Sequence, residues 1–237
     1  MKVRYRMEGF SFYDYDNIAI HLEKMAQKGW MLEKICNGFW KYRKIQPQKL
    51  KFAVTYFWEA SDENMQHTEN QEIFLESCEQ AGWRLCAEWM QMQIFCSEQE
   101  NPIPIETDEA AKLDNIHLCM SQQYLKINLF LLLIMSVLSF SSGVNLIKTP
   151  LSALTISSIF WGTVFTVAFL VYLLWTILGY WNWYRASKAS VRSGGRCVTL
   201  TRWNHWVTKG LILLSFLAVV LAFVTIYPLS DRIYVMV

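Results

Sequence analysis

Residues Ile127–Ile147, INLFLLLIMSVLSFSSGVNLI, run for 21 positions between Lys126 and Lys148 without a charge. A helix crosses a bilayer core with about 20 apolar residues, so this stretch predicts a membrane span and divides the chain in two. Residues 1–123 carry 13 Lys/Arg and 19 Asp/Glu, whereas residues 124–237 carry 9 Lys/Arg and a single acid, Asp231. A water-exposed domain followed by a membrane domain segregates its acids in this way. The formal charge of +2 therefore averages an acidic front half and a basic back half. The acidic front argues against direct nucleic-acid binding, which needs clustered Lys and Arg.

Two further apolar stretches follow. Thr149–Tyr184 holds 36 uncharged residues, too few for two spans and a turn, and Gly210 onward is uncharged up to Asp231. The reading is three transmembrane helices, at about 125–147, 153–181 and 208–229. The loop after the second carries Arg185, Lys188, Arg192, Arg196, Arg202 and Lys209 with no acid. By the positive-inside rule it is cytoplasmic, which places the N-terminus inside and the C-terminus outside a multi-pass cell-membrane protein. Trp181, Trp183, Arg185, Arg202, Trp203 and Trp206 read as membrane-interface residues in contact with lipid headgroups. The small, polar Ser139–Asn145 stretch reads as helix packing. The span interiors lack ionisable residues, which argues against a stand-alone transporter or channel.

The first 98 residues read as a cytosolic α+β domain. Val3, Tyr5 and Met7 alternate with Lys2, Arg4, Arg6 and Glu8, the pattern of a half-buried strand. Asp16 is placed to cap a helix carrying Ile18, Leu22 and Met25 at helical spacing, and Gly29 to end it. Asn37-Gly38 predicts a hairpin. The order then recurs: a strand through Phe52, Val54 and Tyr56, a helix opened by a Thr68/Gln71 capping box, and Gly82 at its exit. Lys28-Gly29-Trp30-Met31-Leu32 matches Ala81-Gly82-Trp83-Arg84-Leu85. The fold class expected is thus a tandem βαββ repeat, a ferredoxin-like sandwich built twice, with one mostly antiparallel sheet and both helices on one face. Trp30 and Trp83 would fill equivalent core positions. The opposite face, with Arg4, Arg6, Lys41, Arg43, Thr55, Phe57, Arg84 and Glu88, is the expected partner-binding surface: Phe57 is its apolar anchor, and Arg4, Arg6, Lys41, Arg43 and Arg84 are its basic residues. Residues 99–123 form a linker and juxtamembrane helix, broken at Pro102 and Pro104 and capped by Thr107.

No pattern supplies a catalyst, cofactor site or metal site. His117 and Cys119 stand at a spacing unsuited to a metal, and Asp62 and Glu63 sit in a polar loop. The six cysteines form no CxxC pair and read as free thiols.

The Gly29-Trp30-Met31-Leu32 element, the return strand Phe39-Trp40-Lys41-Tyr42, the Tyr56 strand and Gly82-Trp83 before Trp89 resemble the bacterial family called domain of unknown function 2812, over about residues 1–97. That family joins such a domain to C-terminal spans and has no assigned activity or catalytic residues. Its genes often neighbour PadR-type transcriptional regulators. The resemblance therefore implies an envelope-stress or antibiotic-response role. The function expected is a membrane-anchored regulatory or sensory protein, not an enzyme, that binds a protein partner in cytosol or membrane. The alternatives are an accessory subunit of a transporter and a lipid enzyme at the inner interface. The topology makes a direct prediction. A reporter active only outside the membrane should work when fused after Val237 and fail when fused after Gly195; the reverse pattern would overturn the orientation.

Overall fold

The computed structural model describes residues 2–36, 39–60, 67–148 and 153–234. Six strands and two helices come first: β1 (Val3–Arg6), α1 (Tyr15–Gln27), β2 (Trp30–Cys36), β3 (Phe39–Lys44), β4 (Lys51–Tyr56), α2 (Glu69–Gln80), β5 (Arg84–Trp89) and β6 (Met92–Ser97). Then α3 (Glu109–Cys119) passes through a π-helical turn, Met120–Tyr124, into α4 (Leu125–Lys148), followed by α5 (Ala153–Arg192) and α6 (Arg202–Tyr234). Three helical stretches, Glu109–Asn145, Phe160–Arg192 and Trp203–Leu221, are long and apolar enough to cross a membrane. The helices outrun the expected spans because α5 continues through Trp181 as far as Arg192 and α6 begins at Arg202.

The α+β fold holds, but the strands form two three-stranded antiparallel sheets, ordered β1-β3-β2 and β4-β6-β5. β2 and β5 run next to each other without joining the sheets through backbone hydrogen bonds. The expected Asn37-Gly38 turn lies outside the described residues, as do Asp62 and Glu63; Cys36 and Phe39 on either side of the turn are paired.

Both helix exits follow the sequence signals. Gly29 and Gly82 have φ of +79° and +84°. At Gly82 the two C-terminal bonds are complete, Gly82 N–H to Glu79 O at 2.9 Å and Trp83 N–H to Cys78 O at 2.9 Å. A Cβ on Gly29 would sit 2.8 Å from the Ile45 carbonyl oxygen, so both φ and space demand glycine there. Thr68 caps α2 by accepting from Gln71 N–H at 3.3 Å. Two expected caps fall at neighbouring residues instead. Asp14 precedes α1, with Asp16 in its first turn, and Asp108 rather than Thr107 caps α3, accepting from Ala110 and Ala111 N–H at 2.8 and 3.3 Å.

The faces of the first sheet also differ from expectation. β1 pairs Arg4 with Tyr42 and Arg6 with Trp40, so the arginines share the side of those two buried rings. That side meets α1, where His21 lies 3.3 Å from the Tyr42 hydroxyl and Arg6 reaches Met25. Val3 and Tyr5 lie on the other side with Arg43 and Lys41, and are 43% and 62% exposed. α1 also runs beside β4, where Glu23 approaches Lys51 at 3.8 Å and the Tyr56 hydroxyl donates to the Phe12 carbonyl. This covers an edge that would otherwise be open. α2 lies on the second sheet over Phe95, Ala53 and Leu85, with Cys78 and Trp83 in the same cluster.

Cys86 and Cys96, expected as free thiols, form a disulfide across β5 and β6. The register shift between Leu85 and Ala87 sets Cys86 beside its partner strand, with Cα atoms 6.2 Å apart. Cys36, Cys78, Cys119 and Cys197 are free. In the apolar helices, two serine hydroxyls are satisfied along their own backbone: Ser136 donates to Leu132 O at 2.7 Å and Ser215 to Leu211 O at 2.9 Å. A Cβ on Gly143 would meet nothing within 4 Å, so this glycine marks no close helix crossing among the described residues.

Trp30 and Trp83 are not equivalent in packing. Trp83 is 5% exposed, and its indole N–H donates to Ile103 O at 2.7 Å. Trp30 is half-buried, flanked by Lys44 at 4.8 Å and Arg4 at 5.7 Å from its ring. Trp83→Ala should therefore cost roughly 3–5 kcal/mol, and Trp30→Ala about 1 kcal/mol. Denaturant unfolding of the full chain compares them, and equal losses would refute this difference.

Candidate functional site

One compact unit comprises Met1–Tyr124 together with Tyr180–Arg202, and the other comprises Leu125–Gly179 with Trp203–Val237. The end of α5 and the loop after it are thus part of the α+β unit. The stripe that achieves this has helical spacing: Tyr180, Trp183, Tyr184 and Ser187 are all buried. Tyr13 packs against Tyr180 and Trp183, with ring centroids 5.3 and 4.8 Å apart. His117 of α3 stacks on Tyr184 at 4.2 Å, and its Nδ1 lies 2.6 Å from the Tyr180 hydroxyl. Trp183, expected at the lipid interface, is 4% exposed and donates its indole N–H to Val198 O at 2.6 Å. Trp181, Trp203 and Trp206 are exposed, as is Arg185; Arg202 opens α6.

Gly194 and Gly195 close α5 with N–H bonds to Val191 O and Ser190 O at 3.0 and 2.9 Å. The loop then crosses the first turns of α1 and α3. Cys197 N–H donates to Glu109 Oε2 at 2.9 Å, Thr199 Oγ1 to Asp16 Oδ2 at 2.9 Å, and Asn17 Nδ2 to Leu200 O at 2.8 Å. Asp16 thus serves as a loop tie. Burial pushes the Cys197 thiol up to about 11, with the Glu109 charge adding to it, which keeps it protonated and unreactive at neutral pH.

Two cavities flank the linker. One of about 300 Å³ lies along β4, between the start of α1, Trp83 and residues 102–106. The other, of about 520 Å³, lies between the linker, α3 and the 196–199 loop. They share Tyr15, Asp16, Pro104, Glu106 and Lys112. Lys112 Nζ sits 3.9 Å over the Tyr15 ring. Glu106 Oε2 and Thr55 Oγ1 are buried without a hydrogen-bond partner. Burial pushes the Glu106 carboxyl up to about 7, with Lys112 pulling it down and Glu109 pushing it up. Burial likewise raises Asp14 to about 6, opposed by the hydrogen bond from Asn17.

Two other polar clusters are built around carboxylates. Glu88 of β5 meets His67 at 3.1 Å, Gln71 at 3.1 Å and Gln93 at 3.4 Å. Glu8 meets Arg6 at 3.1 Å and His21 at 3.3 Å. Among the described residues, no group of three or more His, Cys, Asp or Glu side chains is arranged to hold a metal.

The residues expected to form one basic partner face are dispersed. Arg4 and Arg6 lie on the α1 side of the first sheet, while Lys41 and Arg43 lie on its other side, with Lys41 2.5 Å from Glu33. Phe57 stacks on Phe74 of α2 at 5.5 Å, on the helix-covered side of the second sheet, so it is not an exposed anchor. Arg84 belongs to that second sheet as well and reaches the Cys96 sulfur. The alternation in β1 and β4 was legible, but which side a helix covers was not. The aromatic stripe of α5 had a signal, its spacing of three and four residues, which suits both a membrane interface and a docked helix.

Glu106 makes a pH-dependent prediction. Its folded pKa lies above the ordinary carboxyl value, so its stabilising contribution is complete below about 4.5 and is lost as pH rises through about 7. Glu106→Gln should raise the melting temperature at pH 8 and leave it nearly unchanged at pH 5. Thermal unfolding at both pH values checks this, and equal effects would contradict the assignment.

No curated protein and no solved structure matches the chain. The family match begins at the turn before α1 and ends inside α4, so it takes in the linker and α3 beyond residue 97. Residues 14–129 match the family described as Protein of unknown function (DUF2812), and it is this family that the chain resembles.

Proposed function

We propose that this chain is a membrane-anchored regulatory protein. Its α+β unit is cytosolic and binds a protein partner, and its spans hold it in lipid and respond to what that unit binds. The observation that carries the reading is that the end of an apolar helix, Tyr180–Arg192, is a structural member of the α+β unit. A simple anchor would need no such packing. Any event that loosens Tyr13 or His117 acts on α5 directly, through the rings they pack against. The two halves read as a duplicated βαββ unit of ferredoxin-like character, supported by the identical strand order of the two sheets. The cytosolic orientation rests on the basic Arg185–Lys209 segment; with Cys86 and Cys96 bonded, the cysteines no longer add to it.

The partner surface best supported is the open side of the first sheet. There Val3, Tyr5 and Phe39 are exposed next to Lys41 and Arg43, an aromatic and cationic set of the kind interfaces use. No direct nucleic-acid contact enters this reading. An accessory role in a transporter is the second reading, favoured by the exposed Phe130, Leu133 and Phe140 along α4.

A photo-crosslinking residue placed at Tyr5 should capture a discrete partner in native membranes, and one at exposed Ile73 of α2 should not. Tyr5→Ala combined with Arg43→Ala should weaken capture by on the order of 2 kcal/mol with stability changed by less than about 0.5 kcal/mol. Capture only from positions on α4 would favour the transporter reading instead.

A further inference from the structure

The linker is a strap rather than a loose tether. Trp83 donates its indole N–H to Ile103 O at 2.7 Å, and Ile105 packs on the Cys78, Trp83 and Phe95 cluster. Beneath the strap lies the cavity of about 300 Å³, with Tyr15, Trp83, Pro104 and Ile105 among its walls. A water takes roughly 30 Å³ of liquid, and a benzene-sized guest fits a cavity of about 150 Å³. This space therefore suits an aromatic or alkyl group with a short polar arm.

The polar groups at the cavity specify that arm. Asp16 accepts from Thr199, and Glu109, in the adjoining cavity, accepts from Cys197 N–H. Lys112 sits over the Tyr15 ring, and Lys51 is 3.8 Å from Glu23. Arg196 borders only the adjoining cavity. What is left without a partner is Glu106 Oε2 and Thr55 Oγ1, both buried. Burying an acceptor without a donor costs free energy that a ligand donor recovers. An N–H donor answers the carboxylate, and a positive charge answers it best.

We propose that the cleft under the Pro102–Glu106 strap binds a small amphipathic amine, its apolar body against Trp83 and Ile105 and its ammonium on Glu106, with Thr55 as a second acceptor. The strap leads straight into α3, so occupancy of the cleft bears on the helix that carries His117. This site is separate from the sheet surface proposed for the protein partner, and each can fail without the other.

The test uses the full-length protein in detergent micelles at pH 8, with 2-phenylethylamine and its neutral counterpart 2-phenylethanol as probes. Isothermal titration should show saturable binding of the amine, at least tenfold tighter than the alcohol, and absent from empty micelles. Glu106→Gln should weaken amine binding at least tenfold without lowering the melting temperature. Thr55→Val, close in shape, should weaken it by a smaller factor. Amine heat equal to that of empty micelles, equal affinity for the alcohol, or affinity unchanged in Glu106→Gln would each overturn the proposal.

Discussion

The packing of Tyr180, Trp183, Tyr184 and Ser187 into the α+β unit is the contact on which the rest of the architecture turns. These four side chains fall on one side of a helix and are buried: Tyr13 packs on Tyr180 and Trp183, His117 stacks on Tyr184, and Ser187 Oγ accepts from Val198 N–H. Tyr13 immediately precedes the N-cap residue of α1, and His117 lies on α3, so one stripe ties together the first helix, the linker helix and the loop after α5. Asn17 and Glu109 satisfy the loop backbone groups Leu200 O and Cys197 N–H, which would otherwise be left unpaired, and Asp16 accepts from the Thr199 hydroxyl. The apolar stripe supplies the driving force, and the hydrogen bonds supply the register.

The β1–β3 and β4–β6 segments differ where their helices meet the sheets. The shift of 53 residues that carries Gly29 onto Gly82 also carries Ile18 onto Gln71, Ile35 onto Glu88 and Trp40 onto Gln93. In the first half these positions are apolar: Ile18 is a buried residue of α1 itself, and Ile35 and Trp40 are paired, buried residues on the side of the first sheet that α1 covers. In the second they form the polar cluster in which Gln71 and Gln93 both donate to Glu88. Glu88 is only partly buried, and its charge is answered both by solvent and by the two amide donors. The apolar cluster of the second half joins Trp83 to Cys78 and Phe95, and the strap residue Ile105 packs against it. The linker is structural for this reason, and the family match extends across it.

Much of this organisation was legible in the sequence. The helix exits at Gly29 and Gly82, the cap at Thr68 and the apolar helices follow from local rules: a left-handed φ, an orphan N–H, the thickness of a bilayer. The candidate cleft was not legible, because its parts come from α1, β4, the linker and α3, and no local pattern marks a carboxylate as unpartnered. The basic face failed for a related reason. Alternation in β1 separates Arg4 and Arg6 from Val3 and Tyr5 but is symmetric with respect to which set faces a helix.

The sequence by itself determined where the chain turns, where it becomes apolar enough to span a membrane and which residues alternate, since each depends on neighbours within a few positions. The tertiary structure alone decided that α1 covers the side of the first sheet bearing Trp40 and Tyr42, that Trp83 is buried while Trp30 is only half-covered, and that Trp183 packs inside protein. The physical reason is that burial is a property of a pair of surfaces. An indole with one donor is equally at home at a lipid headgroup or against Tyr13 with its N–H on a carbonyl, and only the partner that the fold brings to it chooses between them.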